Sequence, residues 1–190
     1  MNIEDYLREN LTYDGGCLRW KSGRNRVTGA RAPKTRADGY KRVRITYEKV
    51  EHEFLEHRVI WLLKTGNWPK HHLDHINGVK GDNRLENLRE ATSSQNGGNS
   101  KISVNNSSGW KGVYEAKGVF RAQIHYKRKT TYLGQFDCAR EAALAYNYEA
   151  EKRFGPFARF NQVFEDVDTT MVQEYTGPAE PKTPDTREDF

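Results

Sequence analysis

From Gly97 to Gly109 the chain reads Gly-Gly-Asn-Ser-Lys-Ile-Ser-Val-Asn-Asn-Ser-Ser-Gly, a polar stretch poor in acids, bases and large side chains. A segment of this kind has little to bury, and residues 100–108 read as a linker. It divides the 190 residues into two candidate units, 1–99 and 109–162, followed by a tail of different composition. Apolar residues make up only 35% of the chain and charged residues 30%, whereas aromatic content reaches 12%. That balance makes the chain hydrophilic but is too aromatic for a chain that stays unfolded. Two small units with modest cores are expected.

The tail from Val163 to Phe190 holds eight Asp or Glu against Lys182 and Arg187, a net −6. Subtracting it from the chain's +5 leaves +11 on residues 1–162. A surface with that excess neutralises phosphates, so nucleic acid is the natural partner. The tail, with Pro178, Pro181 and Pro184, reads as acidic and disordered. No apolar run is long enough to span a bilayer, and Met1 to Asn10 is acidic and polar, unlike a secretion signal. A soluble, unexported protein of the cytoplasm is expected. Cys17 and Cys138 lie far apart with no metal-type pairing, and read as small buried hydrophobes.

Alternating runs at Cys17 to Trp20 and Tyr40 to Tyr47, separated by Gly15-Gly16, Gly23 and Gly39, predict strands and turns. Lys21 to Arg44 is dense in Lys and Arg, fit to lie along a DNA backbone or to be an exposed basic hairpin. From Phe54 to Lys64 the period turns helical, with Leu55, Val59, Ile60, Leu62 and Leu63 on one face and Gly66 and Pro69 closing it. Leu73-Asp74-His75-Ile76-Asn77-Gly78 and the Gly81-Asp82-Asn83 cluster then supply the turns of a hairpin. Glu90 to Asn96 predicts two turns of helix, ended by Gly97-Gly98. A carboxylate and an imidazole on adjacent residues, with an amide on the following helix, could converge on one metal ion, which is nuclease-like chemistry.

Asp74-His75, Asn87 within Arg-Leu-Glu-Asn-Leu-Arg, Asn96 within Ser-Ser-Gln-Asn, and His57-Arg58 upstream of Asn-Trp-Pro together resemble the HNH, or ββα-metal, endonucleases. The resemblance is to the phage-type homing enzymes whose third motif residue is Asn. It implies that Asp74 and Asn96 give hard oxygen ligands to one Mg²⁺ or Mn²⁺ ion, and that His75 is the general base. It also implies that Asn87 clamps the hairpin and orients the His75 ring. Phosphodiester hydrolysis would leave 5′-phosphate and 3′-hydroxyl ends, by a nick or a double-strand cut. His71 and His72, on the approach to a strand, are left outside the ligand set.

Past the linker, Trp110 to Tyr114, Val119 to Tyr126 and Thr130 to Phe136 predict three strands. Cys138 to Phe154 predicts a helix whose Ala142, Ala143, Ala145, Tyr146, Ala150 and Phe154 cover them. Gly-Val-Tyr at 112–114, Tyr-Leu-Gly at 132–134, Ala-Ala-Leu-Ala-Tyr at 142–146 and Phe-Asn at 160–161 resemble the AP2 DNA-binding domain over Gly109 to Gln162. That family lays its sheet in the major groove. The matching outward positions here are Lys111, Tyr114, Arg121, Gln123, His125 and Tyr132, of which Tyr114, His125 and Tyr132 depart from the family's usual Arg, Arg and Trp. Lys127-Arg128-Lys129 predicts a hairpin turn, near phosphates or simply solvated.

The fold class that follows is α+β: a β-rich N-terminal segment leading into a ββα-metal unit, then a three-stranded antiparallel sheet with one helix, then the acidic tail over 163–190. The expected function is a metal-dependent endonuclease on double-stranded DNA, with site choice by the second unit and no obligate protein partner. A non-catalytic, sequence-specific DNA-binding protein stays open beside it.

Overall fold

The computed structural model describes residues 1–21 and 34–163. Most of the basic stretch from Lys21 to Arg44 that lies before Lys34, and the acidic tail after Val163, fall outside the described residues. Two compact units divide between Asn96 and Gly97.

The first unit opens with helix α1 (Ile3–Asn10). Asn2 and Asp5 cap it reciprocally, the Asn2 side chain accepting from the Asp5 N–H at 2.9 Å and the Asp5 carboxylate from the Asn2 N–H at 3.4 Å. This Asn-x-x-Asp signal was present in a stretch that reads at first only as polar and acidic. Strands β1 (Leu11–Asp14) and β2 (Cys17–Trp20) form a hairpin that turns on Gly15 and Gly16, with φ of 51° and 84°. Gly16 is required twice over, since a Cβ there would stand 2.8 Å from Cγ of Arg84.

Strands β3 (Lys34–Thr35), β4 (Lys41–Tyr47) and β5 (Val50–Leu55) make an antiparallel sheet in sequence order. Val43 and Ile45 of β4 point into the core, and Arg42 and Arg44 point outward onto Glu53. Helix α2 (Glu56–Thr65) begins two residues later than the periodicity predicts, because Phe54 and Leu55 pair with Val43 and Arg42 as the end of β5. Gly66, at φ 85°, ends it in a left-handed cap.

Strands β6 (His72–His75) and β7 (Leu88–Ala91) pair antiparallel, and helix α3 (Ser93–Gly98) follows. Glu90 and Ala91 were expected in the helix. They extend β7 instead, opposite Leu73 and His72, because cross-strand hydrogen bonds outweigh the helical preference of two residues. One core serves the whole unit: Leu7 and Leu11, Leu18 and Trp20, Val43 and Ile45, Val59, Ile60 and Leu62, and Leu88 meet in it. Burying one such leucine is worth about 1.5–3 kcal/mol, so the N-terminal strands support the β6–β7 hairpin rather than merely preceding it.

The second unit is the antiparallel sheet β8 (Val113–Ala116), β9 (Val119–Tyr126) and β10 (Lys129–Phe136), with β9 in the middle, covered by helix α4 (Ala139–Phe154). Ala142 and Ala143 pack on Val113 and Ala122, while Tyr146, Ala150 and Phe154 pack on Ile124. Asn161, buried, brings the chain back: its side chain accepts from the Lys111 N–H at 2.6 Å and donates to the Lys111 carbonyl at 3.1 Å. Cys138 is exposed rather than buried, and its sulfur caps α4 by accepting from the Glu141 N–H. Cys17 is half-buried. The polar stretch is anchored at its end, where the Asn106 amide donates to the carbonyls of Trp110 and Val113 and Ser108 donates to that of Val113. Among the described residues no helix is long and apolar enough to cross a membrane.

Candidate active site

Asp74 and His75 end strand β6, where both side chains are buried. Antiparallel register places Arg89 opposite Asp74, and its guanidinium donates from Nε and Nη2 to Oδ2 of Asp74 at 2.9 Å each. His75 lies opposite Leu88 and turns its Nε2 to Oδ1 of Asn83 at 2.8 Å.

The loop between the strands is a closed structure. Asn87, from the 3₁₀ turn Leu85–Asn87, takes the Asn77 N–H on its Oδ1 and donates from Nδ2 to Oδ1 of Asn77 and to the Asp82 carbonyl. Its own carbonyl accepts from the Ile76 N–H at 2.9 Å. One side chain therefore holds both ends of the loop. Asp82 receives Asn77 and the Arg84 fork, which keep its carboxyl well below the usual range. Lys41 donates to the Gly81 carbonyl, so β4 also braces the loop.

The hairpin clamp and the ring support expected of Asn87 are divided between two residues: Asn87 clasps the loop and Asn83 meets the ring. Behind Asn83 stands Glu56, fully buried at the start of α2, whose Oε2 accepts from Asn83 Nδ2 at 2.7 Å and whose Oε1 accepts from the Leu18 N–H at 2.9 Å. His57 packs edge-on against His75, ring centres 5.1 Å apart, and Tyr40 lies 5.5 Å from His57 and 6.0 Å from His75. Burial, then the neighbouring His75 and Arg58, push the His57 imidazole down to about 3, so it stays neutral beside His75. Burial raises the Tyr40 phenol, with Asp38 and Asp74 adding to the effect. Glu56, Asn83 and Tyr40 have no assigned role in the sequence reading. The available signal was Glu56, a charged residue among the apolar positions of a helix.

Asn96 is exposed on α3, its N–H donating to the Thr92 carbonyl. Among the described residues no group of three or more His, Cys, Asp or Glu side chains could hold a metal. The Asp74 carboxylate and Asn96 amide are hard oxygen donors of the kind that suits a Mg²⁺ ion retaining several waters.

Residues 54–97 match the family of HNH endonucleases. No curated protein and no solved structure matches the chain. The HNH match takes in α2, β6, β7 and nearly all of α3, and with them Glu56, His57, Asp74, His75, Asn83, Asn87 and Asn96. It supports a nuclease.

In the second unit, Tyr114 lies opposite Arg121, Tyr132 opposite Gln123, and Thr130 opposite His125. Partners across a ladder share a face, and alternate residues of a strand share one too, so Tyr114, Arg121, Gln123, His125 and Tyr132 form one surface. It is the face opposite Val113, Ala122 and Ile124, which meet α4. Lys111 stands apart. It precedes β8, and its ammonium donates to the Gly98 carbonyl at 2.5 Å. Burial, then Arg159, push that ammonium down to about 8.

Proposed function

We propose that the HNH unit hydrolyses phosphodiester bonds of double-stranded DNA, with His75 accepting the proton of the attacking water. The observation that carries this reading is the coincidence of the HNH match with a buried His75 whose ring is held by Asn83 and flanked by the neutral His57. An imidazole held in one orientation is the side chain most often used as a general base. Water oxygen bonds to phosphorus, its proton passes to His75, and the bond to the 3′ oxygen breaks in line, that oxygen taking a proton from solvent, which leaves 5′-phosphate and 3′-hydroxyl ends. Asn87 keeps the loop closed around this strand end. One Mg²⁺ or Mn²⁺ ion held by Asp74 and Asn96 would supply positive charge against the phosphate.

The second unit, in this reading an AP2-like module over residues 109–162, chooses the site. Gln123 and Arg121 are side chains that recognise adenine and guanine edges, and Tyr132 is exposed beside them. Two tethered units raise each other's local concentration on one duplex, as a homing-type enzyme needs for a rare target.

The ion pair between Arg89 and Asp74 favours a second reading, a non-catalytic DNA-binding protein, because it engages a carboxylate oxygen that a metal would use. Cleavage of supercoiled plasmid with Mg²⁺, Mn²⁺ or EDTA separates them. Metal-dependent nicked or linear product, lost in His75→Ala while DNA binding persists, is expected. Tight binding with no product under either metal establishes the second reading instead.

A further inference from the structure

Glu56, Asn83 and His75 form a buried chain that links three distant parts of the sequence. Asn83 is 1% exposed and Glu56 0%, so neither side chain can turn to water for a substitute partner. A carboxylate only accepts hydrogen bonds. Glu56, already receiving the Leu18 N–H on Oε1, meets Asn83 through Oε2 at 2.7 Å, and this contact is favourable only if the NH₂ group of Asn83 faces it. The amide is thereby oriented with Oδ1 toward His75, 2.8 Å from Nε2. Oδ1 in turn only accepts, so Nε2 must carry a proton.

We infer that Glu56 and Asn83 are positioning residues that select the imidazole tautomer of His75, so that the neutral ring donates from Nε2 and carries its basic lone pair on Nδ1. This rests on the reading of His75 as the proton acceptor, and it names the atom that accepts. The device needs Glu and not merely a polar residue. With Glu56→Gln, the new carbonyl satisfies the Leu18 N–H and the new NH₂ opposes that of Asn83. The Asn83 amide relieves this by rotating, which presents its NH₂ to Nε2 and favours the proton on Nδ1. A near-isosteric change 27 residues from Asn83 in sequence should thus invert the tautomer of a residue it does not touch.

The experiment uses the full chain labelled with ¹⁵N-histidine, with the His75 signals assigned by their loss in His75→Ala. Wild type should show the Nε2–H form and Glu56→Gln the Nδ1–H form. On plasmid DNA, Glu56→Gln should lower the single-turnover cleavage rate about 10–100-fold, the range for losing a partner that orients an active group, with DNA affinity unchanged. The double variant Glu56→Gln with Asn83→Asp should recover both signals. There the new amide donates to one oxygen of the new carboxylate, and its other oxygen again accepts from Nε2.

A Glu56→Gln protein that keeps the Nε2–H form, or cuts at the wild-type rate, overturns the inference, as does a double variant no better than Glu56→Gln. Should Glu56→Gln fail to fold, Asn83→Ala carries the same test, with an unchanged tautomer and rate as the refuting result. If His75→Ala cleaves normally, the proton-acceptor reading fails while the tautomer spectra still decide the Glu56–Asn83 link. If His75→Ala is dead and Glu56→Gln is fully active, the nuclease stands and tautomer selection falls.

Discussion

The two units treat their polar residues in opposite ways. In the first, Glu56, His57, Asp74, His75, Asn83 and Asn87 are all buried, each set among partners that restrict its movement. In the second, Gln123, His125 and Tyr132 stand exposed on a sheet face, and the buried polar residues Asn99 and Asn161 are bound into the scaffold. Proton transfer needs groups held in one geometry away from bulk water, because reorganisation at the moment of reaction costs rate. Base reading needs side chains that water covers until DNA displaces it, on a frame stiff enough to set their spacing. In the proposed reading, buried polarity marks the reacting part of this molecule and exposed polarity its reading part.

The largest effect that would break this contrast is in the first unit. His75→Ala should lower cleavage about 10²–10⁴-fold, the usual worth of a general base, without weakening DNA binding, as seen by comparing plasmid cleavage with a gel-shift titration. A parallel loss of binding would mean that His75 reads DNA as well.

Next in size is a pH effect on stability. The folded His57 titrates at about 3, well below its ordinary 6.5. Below about pH 6.5 the unfolded chain takes a proton that the folded chain refuses, so protonation favours unfolding. Stability from this group is complete above pH 6.5 and drains as pH falls toward 3, by roughly 5 kcal/mol at most, an order-of-magnitude figure from the size of the shift. Urea melts of wild type and His57→Phe across that range should show a flatter profile for the variant. Equal slopes would remove His57 from the account.

Smaller again, Gln123→Ala should weaken specific DNA binding by about 1–3 kcal/mol and relax preference at one base pair, leaving thermal stability unchanged. A uniform loss across sequences, with a shallower salt dependence, would assign the sheet face to phosphates instead. The smallest change is Cys138→Ser, which puts a better oxygen acceptor at the N-cap of α4 and should raise stability by about 0.5 kcal/mol in a thermal melt. A fall would show that the sulfur packs as well as caps.

Much of the site was legible because its signals are local. Asp74 and His75 are adjacent, Asn87 returns within the same hairpin, and the turn residues between them announce a loop. The HNH match falls on this same stretch. Alternation along β9 likewise foretold that Arg121, Gln123 and His125 share a face, since strand geometry imposes a period of two. Lys111 was misplaced on that face for want of anything local to say that its ammonium would reach Gly98.

What the sequence alone determined was therefore whatever depends on neighbours along the chain: strand faces, the hairpin with its acid and imidazole, the helix of alanines that lets α4 approach its sheet. Tertiary structure decided what depends on neighbours in space. Glu56 reaches Asn83 and Leu18 only because α2, the β1–β2 hairpin and the β6–β7 loop close on one core. A buried hydrogen bond links groups by position and carries no periodic trace in either segment, so the partners of His75 became visible only when the chain was folded.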